Sequence, residues 1–375
     1  MHYSALVLPV LGASPAGGGR SSSAGGQVAE TFNRDIRPAE TLARMMPDLR
    51  PLIVNMPLAA AFDRHERVAT RWKRAYMLAG IVALIASLTG AVVLGAQVIL
   101  LGAARTIEAV TVIGLLAAIA GVAATLFILL ATPNRVWLEA RFQAEWLRCF
   151  KFRLFLRLAD PAAAADLAAA IAAATTRGMT LFEVEMAGGV AVLDMFDPAS
   201  VLAREPPPGA TPIAPERLAE AKRLYHDLRI RVQLQHFAAR MQERDAEIRP
   251  ARSLGDMLFA AALALTVFQL GVESWQLLAP ATAWVPSRPA GAWLAFASWT
   301  LFAASATQLI YERGRGLVAD RARYEHFHRR IERAAAGLDR ADSAAFLAIV
   351  ATIEDLCLKE LRDFCRDMQR TSFIG

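Results

Sequence analysis

The sequence predicts an all-α membrane protein: four transmembrane helices paired as two hairpins, with long cytoplasmic amphipathic helices forming a bundle. Three observations lead there. Apolar residues make up 55% of the 375 and charged residues only 20%, a balance shifted away from soluble domains. Charge is also unevenly spread, nearly absent from four stretches and dense between them. Finally, Lys and Arg crowd one end of every apolar run, as they do on the cytoplasmic side of membrane spans.

Residues 1–56 read as a linker or disordered tail. Met1 to Leu11 is apolar, but it has no basic start and Pro9 interrupts it, so it does not fit a secretory signal. Tyr3 to Val10 suits a short strand, too little to establish a remnant of a larger sensor domain. Gly12 to Gln27 is dominated by Gly, Ser, Ala and Pro, a linker composition.

A first hairpin unit spans 57–204. Ala60 to Arg74 is amphipathic and basic. No charge occurs from Ala75 to Ala104, more than the roughly 20 residues needed to cross a hydrocarbon core. Arg105 and Glu108 bracket a short outer turn, and Ala109 to Thr132 is the second span. Pro133-Asn134-Arg135 marks the return to water. Trp137, Phe142, Trp146, Phe150 and Leu154 then recur at helical spacing. The bundle core suits the stripe from Phe142 to Leu154, and the membrane interface suits Trp72 and Trp137. Ala162 to Ala174 predicts a packed cytoplasmic helix, with Asp166 interrupting it.

Pro206-Pro207-Pro208-Gly209 centres a linker over 205–215. The second unit, 216–375, starts with a charged helix to about Glu247, with Pro250 before the third span. That span is expected over about 254–278, with Glu273 within it or at its outer end. Pro280, Pro286 and Pro289 make the outer turn, and the fourth span covers 290–311. A charged helix follows from Leu317 to about Ala336. A last one, from Asp342 to about Met368, places Phe346, Val350, Ile353, Cys357, Leu361 and Phe364 on one face. The two halves share an architecture, and their post-hairpin helices align at Arg141/Glu145 and Arg321/Glu325.

Arg64, Arg67, Arg71, Lys73 and Arg74 precede the first span. Arg135, Arg141 and Arg148 follow the second, Arg244, Arg249 and Arg252 precede the third, and Arg313, Arg315 and Arg321 follow the fourth. The outer turns hold only Arg105 and Arg288. Both termini are therefore expected in the cytoplasm of an inner-membrane, multi-pass protein. The net charge of +6 then suits a membrane surface rather than nucleic acid.

The chemistry-bearing patterns of enzymes are missing: there is no HExxH, GxSxG, Walker-type loop or paired CxxC. Gly17-Gly18-Gly19-Arg20 reads as linker. His326 and His328 fall on different helix faces, so no metal site is expected, nor any cofactor. Cys149, Cys357 and Cys365 read as unpaired thiols in charged helices. Four polar residues sit inside apolar runs: Gln97, Gln269, Glu273 and Gln308. Such groups need partners in hydrocarbon. They suit either a polar-lined pore formed on oligomerisation or interhelical bonds, with Glu273 in the outer headgroup zone. Ser87-x3-Ala91, Ala303-x3-Thr307 and the pair Gly114 and Gly121 would permit close helix approach.

Several segments resemble a known family. Ala61-Phe62-Asp63-Arg64-His65-Glu66-Arg67-Val68-Ala69, with Arg141 and Ala144-Glu145-Trp146-Leu147-Arg148 after the hairpin, is similar to one branch of the SLATT domains. Tyr225-x3-Arg229-x3-Gln233-x2-His236-Phe237 and Ile353-Glu354-x5-Glu360-x3-Phe364 resemble another branch, in which the last aromatic is usually Trp. The resemblance implies tandem two-helix membrane modules with cytoplasmic extensions. It further implies a homo-oligomeric effector, pore-forming or membrane-perturbing, in a nucleotide-signalled bacterial conflict or antiviral system. A separate nucleotide-sensing or nucleotide-producing protein would be its partner, beside the lipid bilayer. A non-conducting scaffold that recruits cytoplasmic proteins is the alternative, and a small-solute transporter a third.

Overall fold

The computed structural model of the chain describes residues 33–36, 40–99, 106–187, 210–278 and 288–370. Every regular element among them is helical. The expectations for residues 1–32, the first outer turn and the Pro206–Gly209 run lie outside the described residues.

Nine helices carry the described fold. The first unit contains α1 (Met56–Ile99), α2 (Thr106–Ala131), α3 (Pro133–Arg153) and α4 (Leu167–Ala187). The second contains α5 (Pro215–Tyr225), α6 (Arg231–Leu278), α7 (Arg288–Arg315), α8 (Leu317–Ala335) and α9 (Ser343–Arg370). Four of them, α1, α2, α6 and α7, contain stretches long and apolar enough to cross a membrane. With its 44 residues, α1 extends about 66 Å at 1.5 Å per residue, roughly twice a hydrocarbon core. Its charged first half must therefore project from the bilayer that its uncharged second half enters.

Local chemistry explains the boundaries. Asn55 caps α1, its Oδ1 accepting from the Leu58 amide at 3.2 Å. Asp166 splits the alanine-rich stretch: Pro161–Ala165 is a separate short helix, and Asp166 Oδ1 accepts from the Ala169 amide to start α4. Asp342 does the same for α9 through the Ala345 amide. Such side-chain oxygens satisfy amides that the first turn leaves without partners. The two span-to-bundle junctions use one device. Thr132, between α2 and α3, has φ 42°, and Gly316, between α7 and α8, has φ 60°. Each reverses the backbone for a single residue. Pro250 lies inside α6, so the charged segment and the third span are one continuous helix rather than two.

Part of the expected tail is structured. Glu40–Met45 and Arg50–Ile53 are helical, and Ile36, Leu49, Leu52 and Ile53 are buried in the same core as α3 and α9. Their apolar spacing is too short to register as a helix in sequence, and it is tertiary packing that holds them. The end of the Pro-rich linker is also fixed. The Thr211 amide donates to the Ala159 carbonyl at 2.8 Å, and the Ile213 amide to Ser343 Oγ at 3.0 Å.

The two halves interlock. In addition to α1 packing on α2 and α6 on α7, α7 packs on α1 and α9 on α3. Glycines set the close approaches. A Cβ on Gly114 would meet Val93 at 2.6 Å, and one on Gly121 would meet Ala86 at 2.9 Å, so both lie where α2 crosses α1. One on Gly95 would come within 2.5 Å of the Trp299 ring, whose Nε1 donates to the Ala91 carbonyl at 3.0 Å. That contact joins the hairpins inside their apolar layer. The outward faces carry no cover: Leu115, Leu116, Ile119, Val122 and Leu130 of α2, and Met257, Val267 and Phe268 of α6, are all exposed. Apolar surface on this scale is untenable in water.

Candidate functional site

Beneath the spans, a charge network is sealed inside the bundle. Arg229 donates from Nε to Glu354 Oε1 at 2.8 Å and from Nη2 to Oε2 at 2.6 Å, the two-pronged geometry of strong guanidinium–carboxylate pairs. Tyr225 Oη donates to the same Oε1 at 2.8 Å. Arg148 pairs with Glu145 at 2.7 Å and with Asp35 at 3.1 Å, and Arg229 also lies 3.8 Å from Asp35. Lys151 Nζ donates to the Asp35 and Ile36 carbonyls at 2.7 and 3.1 Å. Arg148, Glu354 and Asp35 are 0% exposed and Arg229 1%. Buried ions persist only when paired, and here three carboxylates (Asp35, Glu145, Glu354) face three cations (Arg148, Lys151, Arg229).

Local structure aims these groups. Arg229 sits on a single π-helical turn, His226–Ile230, between α5 and α6. The wider turn shifts the helix register, as such turns do at functional positions. Aromatic rings floor both guanidinium groups: Arg148 lies 4.9 Å over Phe62 and Arg229 4.8 Å over Phe152. Burial shapes the titrations. It pushes the Asp35 carboxyl above its ordinary range, against the pull of Arg148, Arg229 and Lys151. It holds the Lys151 ammonium down to about 8, opposed by Asp35. The Cys149 thiol, 3.4 Å from Arg229 Nη2, is raised well above its usual value by burial. It is thus a protonated, unreactive thiol.

The motif residues singled out in sequence converge here, with one exception. Arg141 bridges Glu66 of α1 at 2.8 Å and Glu145 at 2.6 Å. Gln233 and Glu360 stand nearby, Glu360 accepting from Arg323 at 3.2 Å. Trp146 faces away, stacked on Phe150 and tilted against Phe182, where it fills core. Arg141 has a counterpart in the second half: Arg321 bridges Asp245 of α6 and Glu325 of its own helix. Trp137 departs from its expected interfacial place. It is 5% exposed, wedged between Tyr76 and Phe364, because α9 closes over it. Trp72 is partly buried, stacked with Phe127 at 6.5 Å.

Of the intramembrane polar residues, Gln97 and Gln308 are held apart. Gln97 Nε2 donates to Thr111 Oγ1 at 3.1 Å within the first hairpin. Gln308 Nε2 donates to the Ala251 carbonyl and to Glu312 at the inner end of the second. Gln269 is half-buried along α6, and the side chain of Glu273 lies outside the described residues. Ser298, not noticed in sequence, is buried and bonded to Thr266 and to the Ala262 carbonyl. Such bonds hold helices together in lipid.

Asp35 is not singled out in the sequence, and Lys151 counts there only among the basic residues that follow the second span. The Asn33-Arg34-Asp35-Ile36 cluster at the edge of a Gly/Ser-rich tail was the available signal. Among the described residues no group of three metal-ligating side chains assembles. No protein-family model, curated protein or solved structure matches the chain.

Proposed function

We propose that this protein is a non-enzymatic, inner-membrane effector of the SLATT type, homo-oligomeric, whose bundle governs whether the apolar hairpins perturb the bilayer. The observation that supports this is the placement of the buried ions. Asp35 precedes the first span, Arg148 follows the second, Arg229 precedes the third and Glu354 follows the fourth. A change in that network reaches all four spans at once. The uncovered apolar faces of α2 and α6 supply surfaces for lipid and for further copies. A signal from a nucleotide-producing or nucleotide-sensing partner would act by preferring one of two packings.

The test is induced expression in bacteria carrying a membrane-potential dye, with wild type beside Arg229→Met and Glu354→Gln. The effector reading expects depolarisation and growth arrest that depend on the network. Unchanged potential in every strain, with cytoplasmic proteins recovered on the detergent-solubilised chain, would favour a recruiting scaffold instead.

A further inference from the structure

Beside the sealed network lies an open cavity of about 460 Å³, within the size range of small-molecule sites. It forms where α1, α3, α6, the α7–α8 junction and the end of α9 meet. Its wall carries Glu66, Glu145, Glu243, Asp320 and Glu360, and each already has a guanidinium partner. Arg141 takes Glu66 and Glu145, Arg240 takes Glu243, Arg244 and Arg323 take Asp320, and Arg323 takes Glu360. Two wall cations are left over. Lys73 and Arg74 have no carboxylate partner among the described residues.

Lys73 is the more telling. The residue is exposed, it lines the cavity, and its Nζ stands 5.6 Å over the Trp137 face. Burial, then repulsion from Arg240, Arg244 and Arg141, holds its ammonium down to about 8. A lysine in such a place is stabilised by an anion entering the cavity. Gln233, 5% exposed, adds a buried Oε1 with no hydrogen-bond donor, an acceptor for a hydroxyl or N–H on the group that carries the phosphate rather than for the phosphate oxygens. Tyr76, Trp137 and Phe364 supply an apolar wall. Lys73 and Arg74 also sit immediately before the uncharged run that starts at Ala75, at the depth of a headgroup layer on the membrane reading.

We propose that this cavity binds a phosphate group, carried by an anionic lipid headgroup or by a soluble phosphate compound, with Lys73 and Arg74 as its primary cations. Two unpaired positive charges match a phosphate dianion. The neighbouring guanidinium groups offer further N–H donors in the geometry phosphate oxygens accept, and basic pockets between spans on the inner face suit lipid phosphates. The inference holds whether or not the protein conducts.

The full chain is purified in neutral detergent and titrated with orthophosphate and with glycerol 3-phosphate. In parallel it is placed in phosphatidylcholine nanodiscs with and without phosphatidic acid. Thermal stability and calorimetry read the binding. Saturable stabilisation is expected in at least one arm: a response in the nanodiscs alone assigns the site to lipid, and a soluble response assigns it to free phosphate. Lys73→Gln with Arg74→Gln should weaken the response at least tenfold, and Lys73→Arg should retain it. Arg231→Gln, which removes an exposed pair with Asp227 outside the wall, serves as the control. Since Lys73 and Arg74 make no ion pair among the described residues, the double variant should melt as wild type does without ligand. Absence of saturable binding in both arms, a double variant within twofold of wild type, or loss of binding in Lys73→Arg would overturn the assignment.

Discussion

Glu354→Gln tests whether the bundle depends on its sealed ions. The carboxylate accepts two bonds from Arg229 and one from Tyr225, and all three residues are buried. The amide keeps the shape and can still accept from the tyrosine, but it removes the negative charge that faces the guanidinium, whose nearest remaining carboxylate is Asp35, at 3.8 Å. Removing one member of a buried pair costs about 3–5 kcal/mol. The residual attraction of Asp35 places this case near the lower end, about 3 kcal/mol. For a chain of 375 residues that is a fall in melting temperature of roughly 4 °C, read by tryptophan fluorescence in detergent. The double variant Arg229→Met/Glu354→Gln removes both charges and should recover most of the loss, giving a coupling of about 2–3 kcal/mol in a double-mutant cycle. A Glu354→Gln melting curve superimposable on wild type, or additive effects in the cycle, would mean that the bundle does not depend on this pair.

Other outcomes follow from the same geometry. Gly95→Ala drives a Cβ into the Trp299 ring and should cost about 1–3 kcal/mol. Trp299→Phe relieves the clash, so thermal melts of the pair should be less than additive. Gly316→Ala forces a side chain into the left-handed region (φ 60°) at about 1–2 kcal/mol. Thr132→Gly should instead be neutral or slightly stabilising, because a β-branched residue already bears that strain. Lys151 sets a pH dependence. Its folded value of about 8 lies below its ordinary 10.5, so the unfolded chain holds more protons between those values. Stability from this group therefore rises with pH across that window. Denaturant titrations at pH 7.5 to 10 should show the rise, and Lys151→Met should flatten it.

The features that sequence revealed are those governed by one-dimensional pattern. Uncharged runs at 75–104 and 109–132 mark spans because no aqueous fold accommodates them, and Asp342 before an amphipathic stretch marks where α9 begins. Features made by contacts distant in the chain were not legible. Nothing local to Asp35 indicates that Arg148 and Arg229 lie around it, more than a hundred residues away. The π-turn at Arg229 carries no composition signal, since its residues are ordinary helix formers. Gly95 reads as one more small residue until Trp299 is placed against it. The glutamines in the spans were visible as polar groups needing partners. Their partners depend on the fold: Gln97 and Gln308 satisfy themselves at opposite ends of different hairpins.

The sealed ions also impose an order on biogenesis. Arg229 leaves the ribosome long before its partner Glu354, which lies in the 28-residue α9. Until then the Arg229 guanidinium must do without its closest carboxylate while lipid-facing segments are handed to the insertion machinery. The interior layer can zip shut only after Glu354 has emerged, with the early-made Asp35 held ready as one jaw. A polypeptide cut short ahead of Glu354 would thus leave Arg229 without its closest carboxylate and open a greasy seam, a signature that cellular proteases are well suited to find.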